Sequence, residues 1–304
     1  MRGVPLALGA LLAVGASILP FALSDLALRL AILALISAIA VIGLAFAFGY
    51  CGLIHLGQAA FMGLGAYGST LLATKAGWPV WLAVPVATLA SGLIAAGLGR
   101  PLLRLREHYL ALATVGLNVS FEIVAKSWVS LTGGYDGITG IPGFGVAGDP
   151  AAYAVVLGCL LASALLAVAV RHSTLGRAMI AVRDDELAAG AAGVNVVATK
   201  VTAFALAGAL GGLAGALYAH YAAYISPGDF ALPRSIELLA MLIVGGETSV
   251  IGAVIGAAFF TFLPEWLRAL GKESYPTIFG LVTLAILILM PKGVVGTLRR
   301  LRLA

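Results

Sequence analysis

RHSTLGRAMIAVRDDELAAGAAGVNVVATK, residues 171–200, is the only long interval after Pro150 in which charge gathers, and apolar runs close in on it from both sides. Arg171, Arg177, Arg183 and Lys200 stand against Asp184, Asp185 and Glu186, and the small-residue run 188–193 follows. Three carboxylates ahead of an alanine-rich segment suit a helix N-terminus, where they face unsatisfied N–H groups and the positive end of the macrodipole. A short helix shown to water between two membrane spans offers a surface to be touched. On composition alone, an ordinary solvated loop fits equally well.

The flanking runs decide the class. Over 304 residues, 62% are hydrophobic and 10% charged, with a mean hydropathy of +1.08. A soluble domain of this length could not cover such a surface, so the chain reads as a single transmembrane domain over 1–304. The net charge of +5 is no sign of nucleic acid, because Lys and Arg in membrane proteins mostly mark the cytoplasmic side. Cys51 and Cys159 are far apart and form neither a disulfide framework nor metal-ligand spacing.

A spanning helix needs about 20 mostly apolar residues. The sequence divides into about ten candidates: Val4–Leu23, Leu26–Phe48, Ala59–Thr74, Val80–Leu98, Tyr109–Leu131, Ala151–Val170, Val201–Ile225, Ile236–Val244, Val250–Leu267 and Pro276–Met290. The first has a longer apolar run than a signal peptide and is expected to be retained. The eighth is too short to span alone, so it is tilted, continuous with a neighbour, or half of a broken helix. Arg2, Arg100, Arg104, Arg106, Arg171, Arg177, Arg183, Lys200, Lys292, Arg299, Arg300 and Arg302 fall on one side of this scheme. Arg29, Lys75, Lys126, Arg234, Arg268 and Lys272 fall on or toward the other. That asymmetry places both termini and the 171–200 loop in the cytoplasm, and the loop 132–150, which has no Lys or Arg, outside.

The stretch 49–68, GYCGLIHLGQAAFMGLGAYG, carries six glycines among His55, Gln58 and Tyr67. Glycine at this density lets a helix break or approach its neighbours closely, and polar side chains at a break can line a cavity. His55 and Gln58, three apart, share a face on a helix, where they either meet a solute or bond to neighbouring helices. Gly63 to Gly68 also fits G-x-G-x-x-G, but no strand–helix–strand unit surrounds it. In the fifth span Asn118, Glu122 and Lys126 form a stripe at every fourth residue. Glu before Lys at that spacing is the favourable orientation of an ion pair, so self-neutralisation is favoured here over contact with substrate.

Gly208 and Gly212, Gly211 and Gly215, and Gly252 and Gly256 sit at G-x-x-x-G spacing, which favours close helix packing. Tyr218, His220, Tyr221 and Tyr224 suit an interfacial belt. The turn 245–249 offers Glu247 as a second contact for a soluble partner, and the basic tail from Lys292 suits a surface anchor.

The chain has no G-x-x-x-x-G-K-[ST] loop to cradle a nucleoside triphosphate, and neither H-E-x-x-H nor G-x-S-x-G. An enzyme reading has little support. Transport remains, driven by an ion gradient or by a separate ATPase, and the acids crowd toward span ends rather than forming a midplane ion cage.

At four places the sequence resembles the LivM/LivH-type permeases of branched-chain amino-acid ABC importers, the LivM branch in particular. They are Gly49–Tyr67 with L-G-Q-A-A-F-M-G-L-G-A-Y, Thr132–Pro142, Gly176–Ala189 and Gly245–Gly256, in order along nearly the whole chain. The resemblance implies an all-α polytopic membrane subunit of the cytoplasmic (inner) membrane. Its partners would be a second, homologous LivH-like permease or a second copy of itself, two ABC ATPases and an extracytoplasmic solute-binding protein. ATP and Mg would be bound by the ATPases, with no cofactor or metal in this chain. It further implies that Arg183–Gly193 acts as the coupling helix, with Arg183, Asp184, Asp185, Glu186, Ala188 and Ala189 at the ATPase cleft and Gly193 ending the helix. The same scaffold would serve urea, short amides or other amino acids; a self-sufficient channel or secondary carrier is the reading of a different class.

Overall fold

The computed structural model describes residues 24–103, 107–146, 148–268 and 280, and the expected spans Val4–Leu23 and Pro276–Met290 lie outside these, as does the basic tail. Among the described residues six helices are long and apolar enough to cross a membrane. The first is α1, Asp25–Leu44, continued by a π-helical turn Ala45–Tyr50. The others are α3 (Val80–Leu102), α4 (Glu107–Ser127), α6 (Gly148–His172), α9 (Val196–Ala222) and α11 (Val250–Arg268). The chain is thus a multi-pass helical membrane protein.

Two shorter helices give the bundle its character. After Tyr50 the chain turns back on itself: the Leu53 N–H donates to Ala47 O at 2.8 Å and the Leu56 N–H to Thr114 Oγ1 at 3.0 Å. Helix α2 (Gln58–Thr74) then begins inside the bundle, because the Gln58 amide donates to Ala40 O at 3.0 Å. Ala40 lies about 15 Å along the helix from Tyr50 and farther still from Asp25, at 1.5 Å per residue. Helix α2, 17 residues long, therefore starts beside the middle of α1 rather than at an end of the bundle, in the place where the span Ala59–Thr74 is expected. Its composition is that of a span; hydrogen bonds to distant helices fix where it starts.

The second half-helix runs the other way. Beyond α9 the chain passes through β2 (Tyr224–Ile225) and a 3-10 turn, Pro227–Phe230, whose Phe230 carbonyl accepts from Asn118 Nδ2 at 3.2 Å in the middle of α4. From there α10 (Leu232–Gly245) leads to the turn 246–249. The short span expected at Ile236–Val244 lies within α10, a 14-residue helix entered from a 3-10 turn and left through the turn 246–249. The expected fifth span also ends early, at Ser127, and Val129–Thr132 forms a separate one-turn α5.

The two ends of the bundle carry different connections. At one end Arg29 pairs with Asp149 at 3.2 Å, Lys75 Nζ donates to Ser130 O at 2.7 Å, and β1 (Ile138–Thr139) pairs antiparallel with β2. At the other end lie α7 (Thr174–Asp184) and α8 (Glu186–Ala191); of the helix expected over Arg183–Gly193, Arg183 and Asp184 belong to α7 and Glu186–Ala191 form α8. Asp185, in extended backbone, breaks them apart and caps the second by accepting from the Leu187 and Ala188 N–H groups, each at 2.9 Å. Among the described residues, Arg171, Arg177, Arg183 and Lys200 lie at the α7–α8 end and Arg29, Lys75 and Lys126 at the other, whereas Arg234 lies at neither. Arg234 sits within the bundle, bonded to Ser37 of α1.

Helix α9 is the hub, packing chiefly on α3, α2 and α1. Its two glycine pairs serve different partners. A methyl group at Gly208 or Gly212 would overlap Ala95 or Ser91 of α3, and one at Gly215 would overlap the Met62 carbonyl of α2. Gly252 and Gly256 bring α11 against Gly245 and Met241 of α10 in the same way. Such close backbone approach is what small residues at i, i+4 permit in a membrane bundle.

Candidate transport pathway and coupling surface

The N-termini of the two half-helices meet. The Ala59 N–H at the start of α2 donates to Ser235 Oγ of α10 at 2.9 Å, and the Ala60 N–H donates to Asn118 Oδ1 at 3.0 Å. Ser235 Oγ in turn donates to Asn118 Oδ1 at 3.0 Å. Asn118 and Ser235 are both fully buried, so side chains of α4 and α10 satisfy the first amides of α2, which the backbone alone leaves open. The polar stripe divides here: Asn118 joins this cluster, whereas Glu122 pairs with Lys126 at 2.5 Å and stays partly exposed.

His55 and Gln58 are also fully buried, and their bonds close locally. His55 Nδ1 accepts from the Gly57 N–H at 3.1 Å, so Nε2 carries the proton that is donated to Gln58 Oε1 at 3.0 Å. The Gln58 amide nitrogen donates to Ala40 O and Ala207 O. The pair ties the re-entrant segment to α1 and α9 and presents no free group to a solute. Tyr67 stacks near Phe121 and Phe230 with its hydroxyl buried. In the cluster expected to form an interfacial belt, His220 is buried and bonded through Nδ1 to Pro142 O at 2.6 Å, while Tyr218 packs on Phe230.

The cavity lies elsewhere. About 370 Å³ opens between α1, α10 and α11, floored by Met62, Tyr218 and Phe230. Asp229, Arg234, Glu237 and Glu265 line it together with apolar Leu30, Leu33 and Phe260. Sequence reasoning passed over all four charged residues as site candidates. The available signal was the run 229–237, in which two acids and an arginine enter an apolar stretch, since ionisable groups inside a membrane mark function by default.

At the α7–α8 end the residues grouped for ATPase contact part company. Arg183 donates to the Gly49 carbonyl at the foot of α1 and pairs with Glu247 in the α10–α11 turn at 2.9 Å. Arg171 reaches the Thr248 carbonyl of the same turn. Glu186 is held by Lys200 at 2.5 Å. Ala189 is 5% exposed and faces its own chain, so it offers nothing to a partner; Leu187, at 86%, is what protrudes. Gly193, with φ +88°, ends α8: its N–H donates to Gly190 O and the Val194 N–H to Ala189 O, both at 3.0 Å. That left-handed closure is one an L side chain resists.

Comparison with known proteins agrees with this architecture. The family model described as "Branched-chain amino acid transport system / permease component" matches residues 26–291. The chain is 31% identical over 308 residues to the high-affinity branched-chain amino acid transport system permease protein LivM of Salmonella typhimurium, covering 92% of this chain and 72% of that one. It is 30% identical over the same shares to LivM of Escherichia coli. The ribose import permease RbsC of Escherichia coli is 28% identical over 125 residues, 39% of this chain and 38% of that one. No solved structure matches. Membrane helices, an interior break and the matched length converge: the chain belongs to the family of permease components of branched-chain amino acid transport systems, and is a transport subunit with no catalytic role of its own.

Proposed function

We propose that this chain is the membrane permease of an ABC importer for branched-chain or related amino acids in a prokaryotic cytoplasmic membrane, worked by separate ATPase subunits that bind its α7–α8 end. The observation that carries the reading is the position of Arg183. It holds at once the foot of α1 beside the re-entrant segment and the turn below α10. Those two elements lead to the half-helix N-termini that meet at Asn118 and Ser235.

A displacement of α7–α8 by an ATPase closing on ATP is thus passed to both half-helices through short, rigid connections. Alternating access follows when the two have discrete arrangements that the ATPase biases. Orientation goes with it: α7–α8 is cytoplasmic, both termini are cytoplasmic, and the β1–β2 end faces the solute-binding protein. The transport path forms with a second permease, homologous or identical.

Co-purification and uptake test this together. The chain expressed with its ATPases, partner permease and binding protein should yield a complex that imports leucine into proteoliposomes only with ATP supplied on the α7–α8 side. Solute flux through the lone chain, or absence of ATPase from the complex, would overturn the reading.

A further inference from the structure

The cavity between α1, α10 and α11 has a composition that its fold role does not require. Three carboxylates and one guanidinium share about 370 Å³ with aliphatic and aromatic walls, a size within the roughly 300–1,000 Å³ of small-molecule sites. Among the described residues the bonding of Arg234, Glu237 and Asp229 is incomplete in a specific way. Arg234 uses Nη1 on Glu237 Oε2 at 2.7 Å and Nη2 on Ser37 Oγ at 2.8 Å, which engages two of the five N–H donors of a guanidinium. The bonds made by Glu237 fall on Oε2, and those by Asp229, from the Ser226 N–H and Oγ, both on Oδ2. Among the described residues one oxygen of Asp229 and one of Glu237 therefore remain for a donor from outside.

We infer that this cavity is a solute subsite for a zwitterionic α-amino acid with an aliphatic side chain. Arg234 receives the carboxylate, Asp229 and Glu237 receive the ammonium group, and Leu30, Leu33, Met62 and Phe260 receive the side chain. The inference rests on the amino-acid import reading and adds where the solute sits. The physical case is complementarity. Guanidinium forks fit carboxylates in two-point contact, and an ammonium with three donors fits two carboxylate oxygens. Ionisable groups are costly in a membrane and persist there when paired or when they contact what crosses.

The test uses the whole importer in proteoliposomes with leucine. Arg234→Gln and Glu237→Gln should each lower leucine uptake by about tenfold or more, the worth of one charge-assisted hydrogen bond. The exchange Arg234→Glu with Glu237→Arg keeps an i, i+3 ion pair while moving the guanidinium one turn, and should stay as low. Uptake restored by the exchange would make the pair structural and overturn the inference, as would full uptake in either single variant. A second measurement avoids transport altogether. Thr261→Cys on the cavity wall, with the parent chain as blank, is labelled by a membrane-impermeant maleimide. Leucine should slow labelling, whereas 4-methylpentanoate, lacking the ammonium, and isoamylamine, lacking the carboxylate, should not. Equal protection by all three, or by none, overturns the inference. If the unaltered importer moves no amino acid, the import reading itself falls, which is a distinct result.

Discussion

Ser235 donates to Asn118 Oδ1 at 3.0 Å across 117 residues of sequence, and that contact joins the starts of two half-helices running in opposite directions. The same oxygen also accepts the Ala60 N–H, and the Asn118 amide holds the Phe230 carbonyl. One side chain therefore serves both halves of the re-entrant structure, in a setting with no water to substitute for it.

Asn118→Leu should consequently behave as more than a core substitution. It leaves the Ala60 N–H, the Ser235 hydroxyl and the Phe230 carbonyl without this partner, at about 1–3 kcal/mol for each buried group left unpaired. Thermal unfolding of the purified chain in detergent should show a clearly lowered midpoint, with Asn118→Asp falling less because the shared acceptor survives. An unchanged midpoint in Asn118→Leu would mean that the junction is not holding the half-helices.

Glycine positions provide a paired comparison. Gly215→Ala places a methyl on the Met62 carbonyl, backbone against backbone, so α9 and α2 must separate. Gly158, in α6, has nothing within 4 Å of where the methyl would go. There the exchange should be neutral or stabilise by about 0.5–1 kcal/mol, since alanine loses less backbone freedom in a helix. Detergent melting of both variants should move in opposite directions or leave only Gly215→Ala changed.

Much of the α7–α8 end was legible in sequence. The acids 184–186 announced the cap that Asp185 supplies, and Gly193 announced the left-handed stop. The glycine pairs announced close packing of α9, though not that its two faces serve two different helices. The re-entrant halves were harder to see. Residues 59–74 have the composition of a span, and what sets where it starts is a set of bonds from Gln58, Asn118 and Ser235 to partners far along the chain. Arg234 was counted as a marker of one membrane face because the sign of a charge says nothing of its depth.

Glu122 and Lys126 separate from Asn118 in consequence as well as in place. Their i, i+4 pair is partly exposed on both sides, and solvent screening leaves such pairs a small contribution. Glu122→Gln should leave complex assembly intact and uptake within about twofold, a change no larger than that energy allows. A greater loss would place Glu122 on the solute path.

Contact with the ATPase should depend on Leu187 more than on the alanine next but one. An aliphatic side chain 86% exposed at the tip of a polar helix pair has no partner within the chain among the described residues, and the cleft of an ATPase would bury it. Leu187→Asp should reduce the ATPase recovered with the permease while leaving its own melting midpoint in place, because nothing in the fold leans on that side chain. Ala189→Glu should fail differently. Its side chain would be forced into the interior behind α8, where Ala189 is 5% exposed, so the permease should melt lower even in the absence of any ATPase. Measuring both quantities on both variants distinguishes a surface that docks from a surface that merely folds. Full ATPase recovery with Leu187→Asp would move the coupling contact off α8, leaving the Arg183–Glu247 junction as the part of this end that a partner engages.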